Sequence, residues 1–133
     1  MRASLYHTHL FCSDIDATIT WWTGMLGAEP TWNGAMAGAR NVFLKIGDGR
    51  LHLYDQAPRD SGRGAVHHLG VRVDGLADLV AAMRAKGVAF RSEIREFEGW
   101  RYIMCAAPDG VLLELFEADA DLDPPELADY LRA

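Results

Sequence analysis

The sequence predicts an α+β fold of two tandem modules, each with the order strand, helix and three further strands. Alternating apolar and polar residues indicate short strands in both halves, and apolar residues at helical spacing indicate one helix in each half. The second half repeats the first, with Gly27 and Gly87 at matching helix ends 60 residues apart. The length of 133 residues, half of them hydrophobic, suits one domain with a sizeable core.

The first module begins with an alternating stretch at residues 5–12 that indicates a strand. Ser13 and Asp14 then favour a helix start, because their side chains accept hydrogen bonds from free backbone amides. Gly27 suits the helix end, where a left-handed residue is common. Three short strands follow, at residues 31–33, 41–46 and 51–54, with a bend rich in Gly and Ala at residues 34–39.

The second module follows a polar segment, residues 56–64, that is typical of a linker. Residues 66–73 indicate a strand and residues 76–86 a helix closed by Gly87. Further strands are predicted from residue 88 onward and at residues 100–105 and 111–116. We therefore predict one domain at residues 1–117, with module 1 at 1–56 and module 2 at 65–117, followed by an acidic tail at 118–133 with a short helix.

The charge distribution excludes several classes of function. The chain has 19 acidic and 13 basic residues, but six of the acids and only one base lie in the last 17 residues. The remainder is nearly neutral, so no basic face is expected for nucleic acid or anionic lipid. The longest apolar stretches are far shorter than a membrane span, and the N-terminus lacks the apolar core of a signal peptide. Two cysteines are too few for a disulfide framework, and we expect a cytoplasmic protein.

Four polar residues occupy matching positions of the two modules and suggest a metal site. His7 and His68 lie on the first strands, whereas His52 and Glu114 lie on the last strands between leucines. Alternation along a strand places His52 and Glu114 on the face opposite the leucines. Two curved sheets placed face to face would bring three imidazoles and one carboxylate together, a set suited to Fe, Ni, Mn, Co or Zn.

A structural role is the alternative for each of these residues. A buried histidine is more often a hydrogen-bonded core residue than a metal ligand. Glu114 is harder to explain in that way, because a buried carboxylate needs a partner or a cation. We interpret His67, which is out of phase with His68, as structural.

The residues around these positions resemble the vicinal oxygen chelate superfamily. The resemblance rests on residues 7–16 (HTHLFCSDID), Trp21-Trp22, Leu26-Gly27, residues 68–74 (HLGVRVD) and residues 108–115 (PDGVLLEL). The superfamily includes glyoxalase I, methylmalonyl-CoA epimerase, fosfomycin resistance proteins, bleomycin-binding proteins and extradiol dioxygenases. The resemblance implies paired βαβββ modules that form curved mixed sheets around a metal-binding cleft, one divalent metal ion per site, and a homodimer. It also implies that His7, His52, His68 and Glu114 are the metal ligands and that Glu114 is the catalytic proton carrier.

The favoured function is a divalent-metal-dependent lyase or isomerase of glyoxalase or epimerase type. Its small-molecule substrate would chelate the metal through two vicinal oxygens. One alternative is a mononuclear Fe(II) oxygenase of an aromatic or quinone-like compound, and another is a drug-binding resistance protein without catalysis. Candidate substrate-binding residues are His9, Tyr54, Trp100 and Arg101, for which packing or solvation is the competing interpretation.

Overall fold

The structure, a computed structural model, describes residues 1–60 and 64–132, with side chains described as far as residue 130. Part of the predicted linker, residues 61–63, lies outside the described residues. The chain forms two compact units, unit 1 (Met1–Arg63 with Ala107–Gly110) and unit 2 (Gly64–Ala106 with Val111–Ala133). Each unit contains a four-stranded mixed sheet, which confirms the predicted α+β fold class.

Unit 1 has the predicted order of one strand, one helix and three strands. These are β1 (Thr8–Phe11), α1 (Ile15–Leu26), β2 (Glu29–Met36), β3 (Ala39–Ile46) and β4 (Gly49–Tyr54). The strands lie in the order β1-β4-β3-β2, with β1 parallel to β4 and the other pairs antiparallel. The crossover through α1 therefore places the first and last strands of the module side by side.

Helix α1 begins and ends where the sequence predicts. The Asp14 side chain accepts a hydrogen bond from the backbone N–H of Ala17 at 2.9 Å. Gly27 ends the helix with φ of 65°, a left-handed conformation that a residue without a Cβ adopts at low cost. The buried side of the helix is formed by Ile15, Thr18 and Trp22.

The sheet of unit 1 separates an apolar face from a face that carries polar and aromatic residues. Alternate residues of β3 and β4, Val42, Leu44, Leu51 and Leu53, are all buried. The intervening residues project to the opposite face, as expected for a pleated sheet. That opposite face carries Asn41, Phe43 and Lys45 on β3, and Arg50, His52 and Tyr54 on β4.

Unit 2 repeats this topology and adds a C-terminal helix. Its elements are β5 (Leu69–Arg72), α2 (Leu76–Ala85), β6 (Arg95–Phe97), β7 (Trp100–Ala106), β8 (Leu112–Ala118) and α3 (Pro125–Arg132). The strand order is β5-β8-β7-β6, with β5 parallel to β8. A short turn, Pro108–Gly110, joins β7 to β8 but packs with unit 1, where Asp109 Oδ2 accepts from the Ser13 N–H at 3.0 Å.

Several predicted boundaries differ from the structure. The first strands of the two modules are shorter than predicted, at Thr8–Phe11 rather than residues 5–12 and at Leu69–Arg72 rather than residues 66–73. Strand β2 continues through the predicted bend to Met36, because Gly34 and Ala35 pair with β3, and the turn is confined to Ala37 and Gly38, which both have positive φ. The stretch from residue 88 is not a strand, and β6 begins only at Arg95. In the predicted tail, β8 extends to Ala118 and α3 follows at Pro125–Arg132. No helix within the described ranges has the length and apolar character needed to cross a bilayer.

Candidate metal centre

Three histidines of unit 1 form a cluster on the sheet face opposite the leucine core. His9 and His52 are direct partners in the register of β1 and β4, with ring centroids 4.1 Å apart. His7, immediately before β1, has its ring 5.5 Å from that of His52. One ring nitrogen from each histidine lies within 4.8 Å of the others. Metal–nitrogen bonds are about 2.1 Å long, so two nitrogens on one ion are at most about 4.2 Å apart, and the three imidazoles would move closer together to share an ion.

Two of these imidazoles favour the neutral form. Burial lowers the pKa of His52, and the neighbouring His9 and His7 lower it further. Burial also lowers the pKa of His9, with an additional contribution from His7. Because a histidine must be deprotonated to ligate a metal, the lowered pKa values of His9 and His52 favour metal binding at neutral pH.

Asn41 determines which nitrogen of His52 carries the hydrogen. Its Nδ2 donates to two backbone carbonyls, those of Met36 at 2.8 Å and Ala39 at 3.0 Å, which identifies Oδ1 as the atom that faces the ring. Oδ1 lies 2.5 Å from His52 Nε2. A carbonyl oxygen only accepts, so Nε2 donates, and the hydrogen-bond network assigns the free lone pair of neutral His52 to Nδ1.

Within unit 2, a histidine and a carboxylate are in contact with each other. Glu114 lies on β8 between Leu113 and Leu115, which are fully buried, and its own side chain is only 17% exposed. His68, immediately before β5, places Nε2 2.8 Å from Glu114 Oε2. His67 also contacts this pair, because its Nδ1 lies 2.8 Å from Nδ1 of His68. A largely buried carboxylate needs a hydrogen-bonding or charged partner, and His68 is that partner for Glu114.

A cavity of about 410 Å³ adjoins the histidine cluster of unit 1. Its wall includes His7 and His52 and is mostly apolar. A row of rings crosses the sheet here, with 5.2 Å between the centroids of Trp32 and Phe43 and 4.5 Å between those of Phe43 and His52. The volume and the mixture of aromatic and polar groups suit a small molecule. The lining residues are Tyr6, His7, Thr31, Phe43, Leu44, Lys45, Arg50, Leu51 and His52.

The other predicted substrate-binding residues have partners within their own units. The Tyr54 hydroxyl donates to the carbonyl of Ala37 at 2.7 Å, and its ring lies 5.7 Å from that of His9. The ring of Trp100 stacks on Phe116, with centroids 4.7 Å apart. Arg101 pairs with the carboxylates of Glu117 and Asp119 at 3.4 and 2.8 Å. Contact of Tyr54, Trp100, Arg101 or His9 with substrate stays a prediction.

Two residues of this site were not predicted to belong to the metal centre. His9 lies in the same cluster as His7 and His52, although it was predicted to contact substrate rather than the metal. Asn41 was not predicted to have a functional role. Its only signal was a polar residue directly before the apolar run Val42 to Leu44, and that signal does not reveal a bond to a histidine on the next strand.

Comparisons with known proteins agree with this architecture. No protein of curated function matches the sequence. The glyoxylase/bleomycin resistance protein/dioxygenase domain from Frankia sp. EAN1pec is 18% identical, with a TM-score of 0.76 over 91% of this chain and 96% of that one. The glyoxalase family protein from Enterococcus faecalis is 22% identical, with a TM-score of 0.71 over 86% of this chain and 97% of that one.

A further similar structure was solved with a metal. The fosfomycin resistance protein FosX from Listeria monocytogenes, complexed with Mn(II) and a sulfate ion, is 17% identical, with a TM-score of 0.71 over 92% of this chain and 98% of that one. These similarities establish the fold. The sequence model of the Glyoxalase/Bleomycin resistance protein/Dioxygenase superfamily matches residues 4–115, and the chain therefore belongs to that superfamily.

Proposed function

We propose that the protein is a divalent-metal-dependent lyase or isomerase whose small-molecule substrate binds the metal through two vicinal oxygens. The observation that carries this proposal is the cluster of His7, His9 and His52 beside a cavity of about 410 Å³. Membership of the superfamily supports it, as does the Mn(II) in the structure of FosX from Listeria monocytogenes.

The proposed ligands are His7, His52, His68 and Glu114. The donor chemistry fits a divalent transition metal, because imidazole nitrogens and a carboxylate oxygen suit Fe, Ni, Mn, Co and Zn. Asn41 would orient His52 with Nδ1 available, and His67 would orient His68 through the contact between their Nδ1 atoms. His9 lies close enough to His7 and His52 to replace one of them or to contact the bound substrate.

A divalent metal in this family would act as a Lewis acid that polarises the two substrate oxygens and stabilises an oxyanion. Glu114 is the proposed proton carrier, as the family resemblance implies, and its Oε2 lies 2.8 Å from Nε2 of His68, another proposed ligand. Its carboxylate would take the proton from the carbon next to the substrate carbonyl and return a proton to the neighbouring carbon or oxygen. Phe43 and the apolar cavity wall would exclude water from the reacting oxygens.

The proposal is tested by calorimetric titration of metal-free protein with Mn²⁺, Fe²⁺, Co²⁺, Ni²⁺ and Zn²⁺. We expect tight binding of one ion per chain and at least tenfold weaker binding in His52→Ala and Glu114→Gln, because each loses a ligand atom. Glu126→Gln is the matched control, an exposed glutamate of α3. Metal affinity unchanged in both His52→Ala and Glu114→Gln would contradict the proposal, as would full turnover in Glu114→Gln.

The second candidate is a mononuclear Fe(II) oxygenase of an aromatic compound, which the row of rings from Trp32 to His52 favours. A substrate screen under air and under nitrogen separates the two functions. Oxygen consumption coupled to turnover, with no turnover under nitrogen, would support the oxygenase. Equal turnover in both atmospheres would support the lyase or isomerase.

We also propose that the functional domain spans residues 1–117 and acts as a cytoplasmic homodimer, as the family resemblance implies. Light scattering of the purified protein would then give about twice the chain mass of 14.7 kDa. A mass of one chain at micromolar concentration would contradict the dimer.

A further inference from the structure

Two cations lie opposite each other at one end of the unit 1 cavity. Lys45 on β3 and Arg50 on β4 are direct cross-strand partners, and both line the cavity. They lie two residues along the strands from the pair of Phe43 and His52, on the same face of the sheet. Two residues of a strand span about 7 Å, so the backbone positions of the cationic pair lie about 7 Å from those of Phe43 and His52.

Sheet stability does not explain this arrangement. Like charges directly opposite each other destabilise an antiparallel pair. Among the described residues, neither Lys45 nor Arg50 has an ion pair within 4.0 Å, and Glu29, which faces Lys45 from β2, forms none with it. The chain as a whole has a net charge of −6, so the pair is not part of a generally basic surface.

Arg50 is held in place by groups that leave its charge uncompensated. Its Nη1 donates to the backbone carbonyl of Asp48 at 3.2 Å. Its guanidinium lies 4.6 Å from the ring centroid of Tyr6, a cation–π geometry. Neither partner carries a carboxylate toward it, so an incoming anion would meet an oriented guanidinium and a lysine ammonium together.

The imidazole end of the cavity has an aromatic side. Phe43 faces His52 across the two strands, and Trp32 packs beside Phe43 on the next strand. Aromatic side chains in such a row accept a planar or apolar body against their faces or edges. The cavity therefore combines an anion-binding end with an imidazole end that also carries the aromatic ring of Phe43.

We propose that the substrate is a small organic anion with a planar apolar body. Lys45 and Arg50 bind its carboxylate or equivalent oxyanion, Phe43 contacts its body, and its two vicinal oxygens lie about 7 Å from the anionic group, at the imidazole cluster. The inference rests on the proposed function, because it assigns a charge and a shape to the substrate of that same site.

The test compares two probes that differ only in charge, 3,4-dihydroxybenzoate and its neutral amide, 3,4-dihydroxybenzamide. Both have a planar ring and vicinal oxygens opposite the variable group. Calorimetry with Mn²⁺-loaded wild-type protein is expected to show at least tenfold tighter binding of the acid, since a charge-assisted contact is lost in the amide. Lys45→Gln and Arg50→Gln are each expected to weaken binding of the acid several-fold and to leave binding of the amide unchanged.

Arg91→Gln is the matched control, because it removes one positive charge from an exposed position of unit 2. Arg91→Gln should still bind the acid more tightly than the amide. Arg50→Lys keeps the positive charge and should retain most of this preference. Wild-type protein with no preference for the acid, or an Arg91→Gln variant as impaired as Arg50→Gln, would overturn the inference.

Metal binding is measured separately in the same proteins. Lys45→Gln and Arg50→Gln should bind Mn²⁺ as the wild type does. If the wild type binds Mn²⁺ but does not prefer the acid, the anion site is wrong and the proposed function stands. If the wild type binds none of the five ions, the proposed function is wrong, and titration of both probes without metal decides the anion site alone.

Discussion

Oδ1 of Asn41 accepts a hydrogen bond from Nε2 of His52 across neighbouring strands, with the two atoms 2.5 Å apart. The same amide donates to the carbonyls of Met36 and Ala39, which lie at the turn between β2 and β3. The turn between β2 and β3 therefore holds the Asn41 side chain in one orientation. Asn41 in turn orients the ring of His52 in the candidate metal site.

Asn41→Ala should destabilise the protein and free the ring of His52. Asn41 is 1% exposed and makes three hydrogen bonds, so we expect a loss of about 2–3 kcal/mol in the free energy of unfolding. The measurement is urea denaturation, together with ¹⁵N NMR of the His52 ring, which should lose its exclusive Nε2–H form. Asn33→Ala is the control, since exposed Asn33 only accepts a bond from Arg40 at 3.1 Å. An unchanged His52 tautomer in Asn41→Ala would contradict the assignment.

The stability that Glu117 contributes should depend on pH. The N–H of Gly75 and the guanidinium of Arg101 hold the pKa of the Glu117 carboxyl below its usual value of 4.5. A carboxyl with a lower pKa in the folded state stabilises the fold above the pKa of the unfolded state, and this stability is lost as the pH falls through the folded-state pKa. Glu117→Gln should therefore cost about 1 kcal/mol at pH 7 and progressively less as the pH falls below 4.5.

Denaturation midpoints at pH 7 and pH 3.5 measure this difference. Glu96→Gln, an exposed glutamate of β6, is the control and should change the two midpoints little. A Glu117→Gln variant that is destabilised equally at both pH values would show that the carboxylate charge is not the cause.

Both cysteines should be unreactive in the folded protein. Burial raises the pKa of the Cys105 thiol to about 11, and burial is also the main cause of the raised pKa of Cys12. With a pKa near 11, about 0.1% of a thiol is thiolate at pH 8, and the thiolate is the reactive form. Reaction with a chromogenic disulfide should be slow in buffer and complete for both thiols in denaturant. Rapid modification of either cysteine in native protein would contradict their burial.

Matching leucines of the two units should be equally important for stability. Leu53 on β4 and Leu115 on β8 are both fully buried next to a candidate ligand residue. Replacement of either by Ala should lower the free energy of unfolding by about 2–5 kcal/mol, because it removes buried apolar atoms and leaves a cavity. Leu5→Ala, at a 99% exposed position, should have almost no effect. Denaturant titration measures all three, and a loss below 1 kcal/mol for Leu53→Ala would contradict the assigned core.

The parts of the fold that depend on local chemistry were predictable from the sequence. Asp14 and Gly27 define the ends of α1 through a side-chain acceptor and a positive φ, and both are visible in the residue types. The alternation of Leu51, His52 and Leu53 likewise indicated which side chain projects from the core.

Features that depend on pairing between distant residues were not predictable in this way. Gly34 and Ala35 favour a bend by residue type, yet they lie in a strand because Asn41 and Arg40 pair with them. The partnership of His9 with His52 follows from the parallel register of β1 and β4, which no local pattern specifies. The contact of Asn41 with His52 depends on the adjacent antiparallel register for the same reason.

The turn Pro108–Gly110 connects two strands of unit 2 while Asp109 binds the N–H of Ser13 in unit 1. The chain therefore returns to unit 1 after strands β5 to β7 of unit 2. Division of the gene in the linker would give an N-terminal fragment without Asp109, whose carboxylate accepts the hydrogen bond from the Ser13 N–H. The C-terminal fragment would contain the turn Pro108–Gly110 without its contact to Ser13. Expression of the duplicated halves as separate proteins would therefore break the hydrogen bond between Ser13 and Asp109.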